Sequence, residues 1–350
     1  MNWQGALNER VLTGKRITVG FDGFVDTIVK PLRHAAAAGT PAVPFGTIRE
    51  FGEFLIGKAE KSCSIELEPV ARRLGGNLPY LSCAAGRLGA DVSCLGMLGQ
   101  PGRPDPVFAK MPCKLYPFAP PGQSTCLEFG DGKILLAADC AFSEDVWRLV
   151  DAAAGGRAEE LLTSPDLLAL VNWSELSFAH GLWERTLEAV RSYPPDRERY
   201  AFFDLCDVSR KAVEELEAVL RLMGRFSACR KTVLSLNENE ARVIAEQLFP
   251  NVQALPGIAE KLCAGYGIDE VIIHTIRETY LLTGRGLARR HSDFVPAPKI
   301  STGAGDNFNG AFCFATVQGL GDEDRIAFAN AAARFYITHG RAASLAELVE

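Results

Sequence analysis

The segment Ser301-Thr302-Gly303-Ala304-Gly305-Asp306-Asn307 places a carboxylate where a helix begins. Phe308, Ala311, Phe312 and Ala315 follow at i, i+3, i+4 and i+7, the spacing of a helix with a buried face. The first amides of a helix lack partners inside it, and the helix dipole adds to their attraction for anions. Gly303 and Gly305 let the backbone turn tightly and come close to a ligand. A carboxylate in an anion site repels the anion. Asp306 makes sense there if it faces a neutral hydroxyl beside the anion and takes its proton. The bland alternative is a helix N-cap, since Asp is a favoured cap. The run is neither a G-x-x-x-x-G-K-[ST] phosphate loop nor a G-x-G-x-x-G fingerprint, because Gly310 falls two residues late.

Three further segments carry polar groups at places suited to binding. Gly75-Gly76-Asn77 opens an apolar, small-residue stretch, where two glycines permit close backbone approach and Asn77 offers donors and an acceptor; a tight packing turn is the alternative. Asp22 and Asp26 follow the first strand, and ligands of open α/β sheets bind beyond the carboxyl ends of strands. They can each accept hydrogen bonds from a polyol, or be isolated turn acids. Asn237-Glu238-Asn239-Glu240 follows another strand, with Asn237 suited to cap the next helix and Glu240 to order water around magnesium, which keeps several waters. The five histidines show no metal spacing, and no G-x-S-x-G elbow occurs.

The elements that hold these residues alternate. Strands are expected at 17–21, 92–97, 168–171, 200–205, 232–236 and 271–275, with helices at 75–89, 179–192, 208–224 and 238–248. Alternation at this spacing implies a parallel sheet covered on both faces. Ser124–Phe129 and Lys133–Ala137 flank Asp131-Gly132 and read as a hairpin. Residues 40–60 and the proline-rich stretch 101–121 read as irregular.

The totals narrow the function classes. Of 350 residues, 47% are hydrophobic and 23% charged, enough for a sizeable core. A net charge of −6, without a long Lys/Arg run, argues against nucleic acid or an anionic membrane as partner. Ten cysteines include no C-x-x-C pair, so we expect reduced, structural thiols and a reducing compartment. The N-terminus MNWQGALNERVLTGKR lacks a signal-peptide core, and no apolar run approaches the roughly 18 residues of a membrane span; the expected location is cytoplasmic.

Together these segments resemble the ribokinase-like (PfkB) family of carbohydrate kinases. G-A-G-D matches the family's C-terminal signature, GGNLPYLSCAAGRLGA its N-terminal signature, and N-E-N-E its N-x-x-E motif, in the same order and across nearly the whole chain. The resemblance implies one α/β kinase unit over 1–350, a three-layer sandwich around a mostly parallel sheet. A small β lid would come from about 24–60 and 112–140. It implies Asp306 as general base and Gly303, Ala304, Gly305 and Asp306 as the amide cradle. Asp22, Asp26, Gly75, Gly76 and Asn77 would bind the sugar or polyol. Asn237, Thr275, Arg277 and Asn330 would lie on the nucleotide side, with Glu240 holding Mg2+ through water and ATP as co-substrate. Lids of this family pair between subunits, which points by analogy to a homodimer through the lid.

Several positions depart from the family pattern. Tyr80 stands where many members carry a second Asn, and Gln100-Pro101 replaces the G-x-D continuation after Gly99. Thr275-Ile276-Arg277-Glu278 replaces T-x-G-x, which puts that loop's nucleotide contacts in question and leaves Arg277 as the alternative contact for a phosphate. GFDGFVD is closer to the G-x-N-x-x-x-D of ADP-dependent sugar kinases. An ADP-dependent sugar kinase or a nucleoside kinase is therefore the alternative within the class. A non-catalytic sugar- or nucleotide-binding protein on the same fold is the alternative outside it. A dinucleotide oxidoreductase would need a glycine fingerprint after the first strand, which is missing.

Overall fold

The computed structural model describes residues 14–36, 41–137, 142 and 145–349. Its strands in chain order are β1 (Arg16–Phe21), β2 (Phe24–His34), β3 (Val43–Pro44), β4 (Leu67–Gly75), β5 (Asp91–Gly96), β6 (Gly99–Gln100), β7 (Arg103–Pro104) and β8 (Lys114–Pro117). There follow β9 (Gly122–Phe129), β10 (Gly132–Ala137), β11 (Leu167–Val171), β12 (Tyr200–Asp204), β13 (Lys231–Asn237), β14 (Glu270–His274), β15 (Glu278–Thr283) and β16 (Gly286–His291).

Nine strands form the central sheet in the order β16-β15-β14-β13-β12-β11-β1-β5-β8. From β14 to β8 every pairing is parallel, while β15 and β16 add an antiparallel edge. The parallel strands read as continuous apolar runs because both faces are covered; Leu167–Val171 is buried at every residue. Successive side chains point to opposite faces, and the core divides accordingly. Leu168, Leu170 and Phe203 join the cluster under the helices Ala179–Arg191, Val213–Phe226, Glu238–Leu248 and Leu255–Tyr266. Leu167, Ala169, Val171 and Phe202 join the cluster under Asn77–Arg87, Ala304–Val317 and Asp322–His339. This is the three-layer α/β sandwich expected from the sequence.

The helix Ala304–Val317 is buried throughout from Asn307 to Val317 rather than along one face. It meets Asn77–Arg87 closely: a Cβ on Gly310 would lie 2.5 Å from the Leu81 carbonyl oxygen. The two helices that carry the glycine signatures are therefore pressed together backbone to side.

After β1 the chain leaves the central sheet at Asp22-Gly23, and β2 joins a small sheet, β10-β9-β2-β3, with β4 also paired to β2. The hairpin stands as read, Gly122–Phe129 with Gly132–Ala137. The expected lid segments need two corrections. Lys114–Pro117 pairs with β5 in the central sheet, because its apolar residues pack there. Leu67–Gly75, outside the expected segments, supplies β4. The helix Ile48–Ile56 occupies part of the stretch read as irregular, capped by the Thr47 side chain. Residues 37–40 and 138–140 of the expected lid, and most of the N-terminal segment, lie outside the described residues. No described helix is long and apolar enough to cross a membrane. Nine cysteines are free thiols, and Cys140 lies outside the described residues.

Candidate active site

The carboxyl ends of the parallel strands deliver polar residues to one edge of the sheet: Asp22 after β1, Asn172 after β11, Asp204 ending β12, Asn237 ending β13 and His274 ending β14. Opposite this edge stands the first turn of Ala304–Val317. Gly303, not Asp306, is the residue that precedes the helix, with φ of 84°. The N-cap alternative for Asp306 therefore fails; it lies in the first helical turn. The Gly303 position excludes a side chain twice over: the φ is left-handed, and a Cβ would come within 2.9 Å of Tyr336 Oη and 3.0 Å of Tyr80 Cδ1.

The amides of this turn are not equivalent. Ala304 N donates to the Ser301 carbonyl at 3.1 Å, so its amide is spent inside the turn. The Gly303 and Gly305 amides meet no acceptor among the described residues. Ala304 thus shapes the cradle without lending its own N–H. Asp306 is half-buried. Burial, then the charges of Asp204, Asp22 and Glu240, raise its carboxyl well above the usual carboxylate range.

Asp204 is the residue that sequence reasoning missed. It is 7% exposed. Its Oδ2 accepts from Asn309 Nδ2 at 2.7 Å and from Asn77 Nδ2 at 3.3 Å, and its Oδ1 from Cys206 N at 2.9 Å. Asn309 Oδ1 in turn accepts from Ser235 Oγ at 2.7 Å. One buried carboxylate thus fastens both signature helices to the sheet. The available signal was its place at the end of an apolar strand, YAFFD.

Asp22 is corrected. It is fully buried, and its oxygens accept from Leu78 N at 2.8 Å, Asn77 N at 2.7 Å and Asn172 Nδ2 at 2.7 Å. It holds the start of Asn77–Arg87 instead of facing an open cleft. Burial pushes its carboxyl up to about 6 against these hydrogen bonds. Gly76, with φ of 84°, is needed for this arrangement, since a Cβ would lie 2.3 Å from Asp22 Oδ2. Gly75 does the same for Asp26: its Cβ would lie 2.3 Å from Asp26 Oδ1. The two glycines make room for carboxylates rather than for a ligand directly.

Asp26 lies on β2 between Arg73 of β4 and Ser124 of β9, and Ser124 Oγ donates to its Oδ1 at 2.5 Å. It is half-buried, and burial raises its carboxyl. Tyr80 is where the small sheet and the signature helix meet, since it bonds to Leu74 of β4 and a Cβ on Gly303 would lie 3.0 Å from its ring. Tyr80 Oη donates to the Leu74 carbonyl at 2.6 Å and its ring packs edge-on against Tyr336 at 6.2 Å.

On the other side of the turn lies a cavity of about 590 Å³ lined by Asn237, Thr275, Ala304, Gly305, Phe308 and Asn330, among others. Its walls include Phe294, Val295, Ile337 and Ala333, an apolar slot of the size that holds a small ligand. Asn330 Oδ1 accepts from Thr279 Oγ1 at 3.0 Å, whereas its buried Nδ2 has no partner among the described residues. Asn237 caps its helix: its Oδ1 accepts from Glu240 N at 2.9 Å, and Glu240 accepts from Asn237 N and Nδ2. Glu240 is buried, and burial with the Asp204 charge raises it to about 8. Thr275 Oγ1 accepts from the amides of Arg277 and Glu278 and so pins the turn before β15. Arg277 lines a neighbouring cavity that shares Glu238, Thr275, Ser292 and Phe294 with the first.

The Asp204 charge raises the proton affinity of Asp22, Glu240 and Asp306, and Asp306 feels Asp22 and Glu240 as well. Among the described residues no three acidic, His or Cys side chains are placed to bind one metal ion directly. Asp204 and Glu240 carry carboxylate oxygens, the donor type that suits a hard cation.

The family model for prokaryotic ketohexokinase (Khk) matches residues 4–350. A ketohexokinase of Haloferax volcanii is 27% identical, over 98% of this chain and 92% of its own. Ribokinase from Thermotoga maritima superposes with a TM-score of 0.63 at 18% identity, over 96% of this chain and 98% of that one. A putative ribokinase II from E. coli, solved in complex with ATP and Mg2+, gives 0.62 at 16% identity over 96% and 98%. At these identities the two structures share the fold with the present chain.

Proposed function

Since the chain belongs to the prokaryotic ketohexokinase family and is a carbohydrate kinase, we propose that it moves the γ-phosphoryl group of ATP to a hydroxyl of a ketohexose. The observation that carries this reading is the position of Asp306. Its carboxylate belongs to the first turn of a helix with open amides at Gly303 and Gly305, and Ala304 and Gly305 of that turn line the Asn330 cavity. In this reading the sugar hydroxyl oxygen bonds to the γ-phosphorus as its proton passes to Asp306, and ADP leaves. The raised proton affinity of Asp306 makes it an effective base once ionised. The Gly303 and Gly305 amides meet the equatorial phosphoryl oxygens, where charge must be stabilised.

Asp26 and Asn77 bind the sugar from two sides, and Asp22, Gly75 and Gly76 hold those two residues in place. Asn237, Thr275 and Asn330 line the nucleotide side. Magnesium, when bound, offsets phosphate charge; Glu240 and Asp204 would hold it through water. The small sheet acts as a lid that excludes water from the transfer. A homodimer through that sheet belongs to the same reading, and would cover the exposed Leu67, Val70, Leu135 and Leu136; sedimentation velocity checks it.

The test is one assay with fructose, magnesium and either ATP or ADP. ADP produced only with ATP and fructose together supports the reading. Turnover with ADP as donor would replace the donor, and absence of product over a panel of sugars would sink the proposal.

A further inference from the structure

A second cavity, of about 640 Å³, lies on the far side of the Gly303 turn from the nucleotide-side cavity. The two share no lining residue, yet they split one short segment between them. Pro298, Ser301, Ala304, Gly305 and Phe308 face the first, while Lys299, Ile300 and Asn307 face the second. Tyr80 and Tyr336 form the second cavity's inner wall, and Tyr336 Oη holds the turn by donating to the Thr302 carbonyl at 2.9 Å.

The charge of this cavity is opposite to that of the protein. Arg72, Arg73, Arg87, Lys110, Lys299 and Arg341 line it, and no acid does. Asp105 pairs with Arg72 at 3.0 Å, and Glu347 pairs with Arg341 and, at 3.8 Å, with Arg87. Lys299 Nζ donates to the His339 carbonyl at 3.3 Å. Arg73 and Lys110 have no ion-pair partner among the described residues. Six lining cations against the two acids ion-paired with them give an excess of four positive charges in a chain of net charge −6, with Asp26 opposite Arg73 on the paired strand. Like charges gathered in a concave space repel one another unless an anion joins them, and such a space concentrates anions. Guanidinium forks match phosphate oxygens in pairs. The volume suits a small molecule rather than a polymer.

We propose that this cavity binds a small phosphorylated anion, separate from the nucleotide, behind the turn that carries Asp306. An occupant would touch Tyr80 and Tyr336, the two rings that contact Gly303. The binding is read without turnover, so it stands apart from the choice of donor and acceptor.

The experiment is calorimetric titration of pyrophosphate, without magnesium, into the protein alone and into protein saturated with a non-transferable ATP analogue. Saturable binding that persists with the analogue is expected. It should weaken roughly tenfold or more in the triple variant R73Q/K110Q/K299Q, as charge-assisted hydrogen bonds are lost. These three side chains are on the surface, so the melting temperature of the variant should match the wild type. Binding unchanged in the triple variant, displacement of pyrophosphate by the analogue, or no binding at all would each overturn the proposal.

Discussion

Asn309 gives its side-chain amide to Oδ2 of Asp204 at 2.7 Å, across 105 residues of chain. That bond ties the end of β12 to the helix that carries Asp306. It predicts a double effect for Asp204→Asn. An amide there faces two donors, Asn309 and Asn77, and stability should fall by about 1–3 kcal/mol. Loss of the charge also removes one of the influences raising Asp306. The acid limb of the kcat/KM pH profile should therefore move to lower pH. Thermal melts and the pH profile check the two parts separately; an unmoved limb would show that Asp204 does not act on Asp306.

Asp306→Asn should lower kcat by about 10²–10⁴-fold, the usual worth of a general base. Its fold should not suffer, because burial already disfavours the charge at this position. Steady-state kinetics beside a melting curve at pH 8 test this, and near-normal turnover would remove Asp306 from its role.

The buried acids set a direction for stability against pH. Glu240 rises from an ordinary 4.5 to about 8, and Asp22 from 3.8 to about 6. Each binds its proton more tightly folded than unfolded. Their contribution is complete below the unfolded values and is lost as pH rises through about 6 for Asp22 and about 8 for Glu240. Wild-type stability should therefore decline relative to Glu240→Gln between pH 5 and 8. Urea unfolding at several pH values reads the difference, which must change with pH if the assignment holds.

Gly76→Ala should cost about 1–3 kcal/mol from backbone conformation alone. The contact with Asp22 adds to it, since the new Cβ would lie 2.3 Å from Oδ2. Denaturant melts check the size. A neutral result would mean that Asp22 can leave the amides of Asn77 and Leu78.

Asn330→Asp keeps an acceptor for Thr279 but removes the unpartnered donor. The KM for the nucleotide should rise by at least about fivefold, the worth of one hydrogen bond, with the sugar KM unchanged. Equal effects on both would place Asn330 elsewhere in the mechanism.

The legible parts of this protein were local. Gly303 and Gly76 announce themselves because a left-handed residue and a close neighbour both demand glycine, and Phe308 to Ala315 spell their helix directly. Asp204 carries no such mark, because its partners arrive from distant helices. β4 was hidden for another reason: Leu67–Gly75 is largely exposed and charged, so no apolar alternation marks it. Lys114–Pro117 was hidden by the prolines around it. The amide of Ala304 could be counted from sequence, but not its commitment to Ser301.

The contact of Gly310 with Leu81 fixes one helix against the other at the distance of a bare backbone. Asp306 and Asn77, one from each helix, thus belong to a single stiff frame, while Asp26 and Ser124 sit on a sheet joined to it through Asp22-Gly23. In the proposed reading, exchanging the strands that carry Asp26 and Ser124 would alter one side of the sugar site and leave Asn77 and the Asp306 turn as they stand.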